Sequence, residues 1–215
     1  MSFYDQLVSS TETEKNRLFS TPVIQRALNG DVQLQEYQNF LGQAYHHVKH
    51  TVPLLMACGS RLPVRLGWLQ EAVAEYIEEE LGHEKWILED IAATGGYPEQ
   101  VARQTPLPAT ELMVAYAYDT ISRVNPVGFF GMVHVLEGTS VSLAQHAADA
   151  IQQSLGLPSN AFHYLTSHGS IDQEHIVFLA NLMNRIEDPK DQADIIHTAN
   201  MIYRLYGDIF RAITI

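Results

Sequence analysis

Cysteine is nearly absent: Cys58 is the only one in 215 residues. One thiol can form neither an intrachain disulfide nor a thiolate-rich metal site, which excludes a disulfide scaffold and a zinc-finger-like domain. A reducing, cytoplasmic setting is the expectation. Basic residues are also scarce, 13 Lys+Arg against 25 Asp+Glu, for a formal net charge of -12. Such a chain repels phosphate backbones and offers no basic face, so no nucleic-acid partner is expected. No uninterrupted apolar run approaches the length of a membrane span, and Met1-Ser2-Phe3-Tyr4-Asp5 lacks the basic start of a signal peptide. No membrane partner is expected either. Strand patterns are almost missing.

What is there is helical periodicity. Hydrophobic residues make up 46% and charged residues 18%, the makeup of an ordered globular protein. Ser20-Thr21-Pro22 reads as an N-cap followed by proline in the first turn, and Asn29-Gly30 as the matching stop. From Gln33 to about Arg61, Tyr37, Phe40, Leu41, Ala44, Tyr45 and Val48 recur at helical spacing, and Pro53 kinks or breaks that helix near its end. A second long helix is predicted from Val64 to Thr94, stopped by Gly95-Gly96 and Pro98. Thr105-Pro106-Leu107-Pro108 reads as a linker. Further helices are predicted from Ala109 to about Arg123, from Asn125-Pro126 to Leu155, from Ser159 to Ile186 and from Pro189 to Ile213. There is no internal repeat and no interdomain linker. The expectation is one all-α domain over residues 1–215, a bundle of about seven helices.

The strongest local pattern is His168-Gly-Ser-Ile-Asp172-Gln-Glu-His175. At about 100° per residue, these three side chains fall on one narrow stripe of a helix. Ile171, Ile176, Phe178 and Leu179 mark that helix as largely buried, where three ionisable groups are costly without partners. Glu80-Leu-Gly-His83 is a Glu-x-x-His pair whose spacing lets both side chains reach one metal ion. Glu137 interrupts the apolar run Val133-His134-Val135-Leu136 and needs a cation. Imidazole and carboxylate donors without thiolate suit iron or manganese, and they leave room for O2 chemistry.

Each element also has a plainer reading. Glu80 follows Glu78 and Glu79, which are taken as surface, so Glu-x-x-His fits a solvated face. The histidine stripe fits a hydrogen-bonded polar seam, and Glu137 fits a pairing with Arg or Lys. What favours a site is convergence, since the three elements lie on different helices of a bundle. His46, His47 and His50 point in different directions; one is expected to line the pocket and most to be exposed. His134, one turn before Glu137, is a candidate pocket residue or a support for a ligand. His146, His163 and His197 are read as structural, and Cys58 as a small buried residue.

The pattern Thr21-Pro22-Val23…Ala27-Leu28-Asn29-Gly30, then Tyr37-Gln38-Asn39-Phe40-Leu41 and Gln43-Ala44-Tyr45, resembles the haem-oxygenase-like superfamily. That superfamily includes TenA (thiaminase II) and pyrroloquinoline-quinone synthase, and the likeness runs from about Thr21 to Tyr206. Within it the chain looks most like the diiron oxidase branch, which includes CADD-like proteins and an alkene-forming fatty-acid decarboxylase. That branch carries a Glu/His pair on the third core helix, a Glu on the fifth and His-xxx-Asp-xx-His on the sixth. Glu80 and His83, Glu137, and His168, Asp172 and His175 match in that order. The TenA pattern is broken: its early Asp is Ala44 here, its catalytic Cys falls near Gly131 and the accompanying Tyr near Val135. No His precedes His46 to serve as an early-helix haem ligand.

The resemblance implies an O2-dependent oxidase or oxygenase with two iron ions (manganese being the alternative), no haem, and a small organic substrate. Decarboxylation, C–C cleavage, desaturation and N-oxygenation all stay open. Tyr45, Tyr116, Phe129, Phe130, Met132 and His134 are the candidate substrate-pocket residues, although at helical spacing such residues also read as plain core. The competing readings are a metal-independent TenA-like hydrolase and a binding or regulatory protein using the same cavity. A homodimer is expected from the family.

Overall fold

The computed structural model describes residues 1–213, except for the side chains of residues 168–174. The all-α class is found, but with eleven α-helices among the described residues rather than about seven. They are α1 Phe3–Phe19, α2 Pro22–Leu28, α3 Leu34–Val48, α4 Thr51–Gly59, α5 Trp68–Glu80, α6 His83–Ala93, α7 Pro98–Arg103, α8 Pro108–Asp119, α9 Phe130–Leu155, α10 His163–Met183 and α11 Pro189–Ala212.

The difference in number has local causes. α1 opens with a capping box between Ser2 and Asp5 and buries the stripe Phe3, Leu7, Thr11 and Leu18. Its other faces are polar, so only a thin apolar stripe advertises it in the sequence. The stretch after Gln33 divides at Lys49-His50. Pro53 then falls in the first turn of α4, where its missing N–H leaves no helical bond unmade. The stretch after Val64 divides at Leu81-Gly82. Leu81 is extended and Gly82 takes φ 95°, a left-handed conformation that favours glycine. That break lies between Glu80 and His83, so the Glu-x-x-His pair straddles two helices instead of riding one.

α9 is the axis of the bundle and packs against α2, α10 and α11. With the turn before it, Pro126–Leu155 is long and apolar enough by length and composition to cross a membrane, contrary to the sequence expectation. The expectation rested on unbroken apolar runs, and Glu137 and His134 interrupt this one; its mean hydropathy is nevertheless high. Here 61% of the apolar window is buried inside the bundle. α9 meets α11 through Gly131, where an added Cβ would lie 2.4 Å from the Ile195 carbonyl oxygen.

α10 is fastened to α6 at its first turn. Asp90, fully buried on α6, accepts the His163 N–H at 2.9 Å and the Tyr164 N–H at 2.8 Å. A carboxylate on these N-terminal donors satisfies both charge and hydrogen bonding. Burial nevertheless pushes its carboxyl pKa up to about 6, with the two backbone hydrogen bonds opposing that rise. Asp90→Ala would strand both N–H groups and is expected to destabilise the fold by about 2 kcal/mol. Urea unfolding measures this directly, and an unchanged midpoint would show that the donors have another acceptor.

Candidate metal centre

The last turn of α5 carries Glu78, Glu79 and Glu80, with no basic residue beside them. The C-terminal end of a helix is its negative pole, so three carboxylates there are electrostatically unfavourable without a cation. Imidazoles from neighbouring helices face two of them. The Glu80 carboxylate lies 3.1 Å from Nδ1 of His83, at the start of α6. The Glu79 carboxylate lies 2.8 Å from Nε2 of His175, on α10. The other nitrogen of His175, Nδ1, lies 3.4 Å from the Glu137 carboxylate on α9. His83, Glu137 and His175 are all buried. The Tyr76 ring meets His175 edge-on at 5.6 Å.

The five side chains form two neighbouring groups, Glu80 with His83 and Glu79 with His175 and Glu137. Within the second group the carboxylates sit on opposite nitrogens of one imidazole. Consistent with that, no three His, Cys, Asp or Glu side chains are arranged to hold one metal ion among the described residues. His168 and Asp172, the remaining expected ligands, lie outside the described residues. Glu79, read from sequence as surface, is exposed, and its carboxylate also reaches His175. Its neighbours in an acidic run gave no signal to separate it from Glu78, because the contact comes from a helix about a hundred residues away.

Glu80 and Glu137 open onto one cavity of about 180 Å³. The cavity runs along α9 between Met132 and Ile151, a rise of about 28 Å at helical pitch. Its wall is mostly apolar: Val133, Leu136, Leu143, Ala147, Phe40 and Leu54 line it. Polar groups at the wall include Glu36, His47, Tyr76, Thr139 and Ser140. This is smaller than the pockets that hold drug-sized ligands, about 300–1,000 Å³.

Of the expected pocket residues, Phe129 and Met132 are on the wall. The others lie elsewhere. Phe130 is fully buried in the core, Tyr116 packs against the same core, and Tyr45 packs on the second apolar cluster around Leu41 and Ile91. His134 points to the far side of α9, edge-on to Tyr4 at 5.9 Å and to Tyr203 at 6.3 Å. The helical stripe through Met132, Leu136 and Leu143 faces the cavity, and that through Phe130 and His134 faces away. Burial pushes the His134 pKa down to about 4.

His46 and His47 are both buried, contrary to the expectation that most of this cluster is exposed. His47 lines the cavity and meets Tyr206 edge-on at 5.7 Å. His46 lies beside Lys49, and burial followed by that charge lowers its pKa to about 4. Half-buried His50 contacts the Tyr118 hydroxyl at 3.2 Å. Cys58 is buried as expected, and burial pushes its thiol up to about 12, out of the range of a nucleophile.

A family model described as iron-containing redox enzyme matches residues 38–207. No curated protein matches the chain. Among solved structures, the chain is similar to a domain of unknown function with a heme oxygenase-like fold from Shewanella denitrificans, at 24% identity and a TM-score of 0.87, covering 99% of this chain and 92% of that one. It is also similar to a TenA homologue from Pseudomonas syringae, at 11% identity and a TM-score of 0.81, covering 98% and 92% respectively. A third similar structure is heme oxygenase-2 from Synechocystis in complex with heme and NO, at 16% identity and a TM-score of 0.77, covering 99% and 85%. At these identities the neighbours establish architecture. The family match spans most of the chain, and on that ground the protein belongs to the family of iron-containing redox enzymes and has a haem-oxygenase-like fold.

Proposed function

We propose that the protein is a non-haem diiron oxidase or oxygenase that uses O2 to oxidise a small, largely apolar substrate. The observation that carries this reading is the pair of carboxylates, Glu80 and Glu137, opening from different helices onto one apolar cavity, each beside an imidazole. The donor set fits iron: carboxylate and imidazole groups with no thiolate, at a helix end whose polarity calls for a cation.

Glu80 and His83 would hold one iron, and His168, Asp172 and His175 the other, with Glu137 shared between them. Bound there, the irons supply the electrons for O2 activation. The chain's own part is to fix donors and substrate. Tyr76 packs on the edge of the His175 ring, and the apolar wall around Leu136 and Leu143 excludes water. Two irons, O2, a small-molecule substrate and a homodimer belong together in this reading.

Two competitors fare worse. A haem would bring anionic propionates into a cavity that already presents Glu80 and Glu137, the Glu36 carboxylate there being paired with Arg26. A TenA-like hydrolase would need a nucleophile near position 131, where a Cβ has no room.

Anaerobic Fe(II) titration followed by O2 exposure tests the reading, with iron counted chemically and by Mössbauer spectroscopy. Two irons per chain are expected for the wild type and one or fewer for His175→Ala. Absence of iron uptake by the intact chain would sink the proposal, and two irons in His175→Ala would refute the ligand assignment.

A further inference from the structure

Trp86 lies one turn into α6 and is half-buried. Its indole packs against two imidazoles. One is His83, with ring centroids 4.1 Å apart and planes 26° from parallel. The other is His163, at 4.6 Å and 32°. His163 is itself exposed, but its backbone N–H is held by Asp90, one helical turn beyond Trp86 on the same α6 face. Trp86 and Asp90 therefore grip the first turn of α10 together, one by its ring and the other by its carboxylate.

We infer that Trp86 is a positioning residue for the metal centre: it fixes the ring plane of His83 and ties that ligand to the helix that carries His175. The inference rests on the proposed iron site. His83 needs such a support for a local reason. It sits at the first position of α6, directly after Gly82 with its left-handed backbone, so the chain leading into it gives little rigidity. Glu80 contacts only one edge of its ring, at Nδ1. A flat aromatic surface on the ring restrains its plane, and a ligand held in one orientation loses less freedom on binding metal.

The two tryptophans of the chain, Trp68 and Trp86, make the test clean. Trp68 lies against the Arg185 guanidinium, away from this stack. In a Trp68→Phe background, Trp86 is the sole indole, and Co(II) added to the metal-free protein is expected to quench its emission in proportion to site occupancy. Trp86→Leu is expected to bind Co(II) about 10- to 100-fold more weakly, the range for losing a group that orients a ligand. Its Co(II) ligand-field spectrum should change as well, since the spectrum reports donor geometry. Trp86→Phe should recover part of both. Equal affinity and an unchanged spectrum in Trp86→Leu would overturn the inference.

Two further arms keep the outcomes separate. If Trp86→Leu does not fold, His163→Ala, at an exposed position, removes the second ring packed on the indole and should weaken Co(II) binding by a smaller factor; no weakening counts against the inference. If the wild type binds neither Co(II) nor Fe(II), the iron reading itself fails. The positioning claim is then decided in the metal-free protein by NMR. The stack shifts the His83 ring protons upfield, and Trp86→Leu must abolish that shift.

Discussion

On the proposed reading, in which both irons share Glu137, Glu137→Ala is expected to abolish stable iron uptake, lowering affinity by more than about 100-fold, since losing a shared ligand exceeds the effect of losing an orienting group. The same substitution is expected to leave the metal-free fold as stable as before, or slightly more so. Those two effects have opposite signs for a physical reason. Glu137 is buried in the middle of the apolar helix α9, where an ionised carboxylate is costly. Removing it relieves that cost. The His175 imidazole keeps the Glu79 carboxylate at 2.8 Å on its other nitrogen. A residue kept at a cost to the empty fold is kept for what it binds. Thermal unfolding of the metal-free variant and iron counting on the reloaded one make the comparison. A variant that loses several degrees of melting temperature while still taking up two irons would make Glu137 a structural partner of His175.

The sequence is informative about faces and poor about breaks. The inward carboxylate of α9 could be read directly, because a glutamate inside Val133-His134-Val135-Leu136 contradicts its surroundings. The division of the helix between Glu80 and His83 could not. Glycine in a helical pattern is often tolerated, and whether it turns left-handed depends on what the flanking segments pack against. That break changes the meaning of the motif: the pair meets across a corner, so the i, i+3 spacing on one continuous helix does not explain the contact. Glu79 and Trp86 were invisible for a related reason. Their partners, His175 and His163, are distant in sequence, and nothing in Glu78-Glu79-Glu80 or in Lys85-Trp86-Ile87 marks which side chain meets a distant imidazole. The pocket residues divided along the same line. Phe129 and Met132 face the cavity while Phe130 and His134 face α1 and α11, although all four lie within two turns. In a helix apolar all round, composition does not reveal which stripe borders the empty space.

Gly131→Ala is expected to cost more than about 3 kcal/mol, at the severe end for one added methyl group. The new Cβ would lie 2.4 Å from the Ile195 carbonyl oxygen, 2.7 Å from the Ala199 nitrogen and 3.1 Å from the Thr198 Cβ. Two of those atoms are backbone, so no rotamer change relieves the clash and α11 must move away from α9. That movement would carry with it Ile195, Ala199 and Ile202, all fully buried in the main core. Gly138, two turns along the same helix, is the control. A Cβ there meets nothing within 4 Å, so Gly138→Ala should instead gain about 0.5–1 kcal/mol from helix propensity alone. Urea unfolding of both variants separates contact from propensity, and a loss below about 1 kcal/mol in Gly131→Ala would mean that the α9–α11 spacing is soft. The result also bears on chemistry. A cysteine is larger than alanine, so Gly131→Cys should be destabilised at least as much and gain no thiaminase activity. Position 131, near which the resemblance would put the TenA nucleophile, here brings two backbones together. On the proposed reading, the chain's reactive groups come from another face of α9, where Glu137 opens onto the cavity.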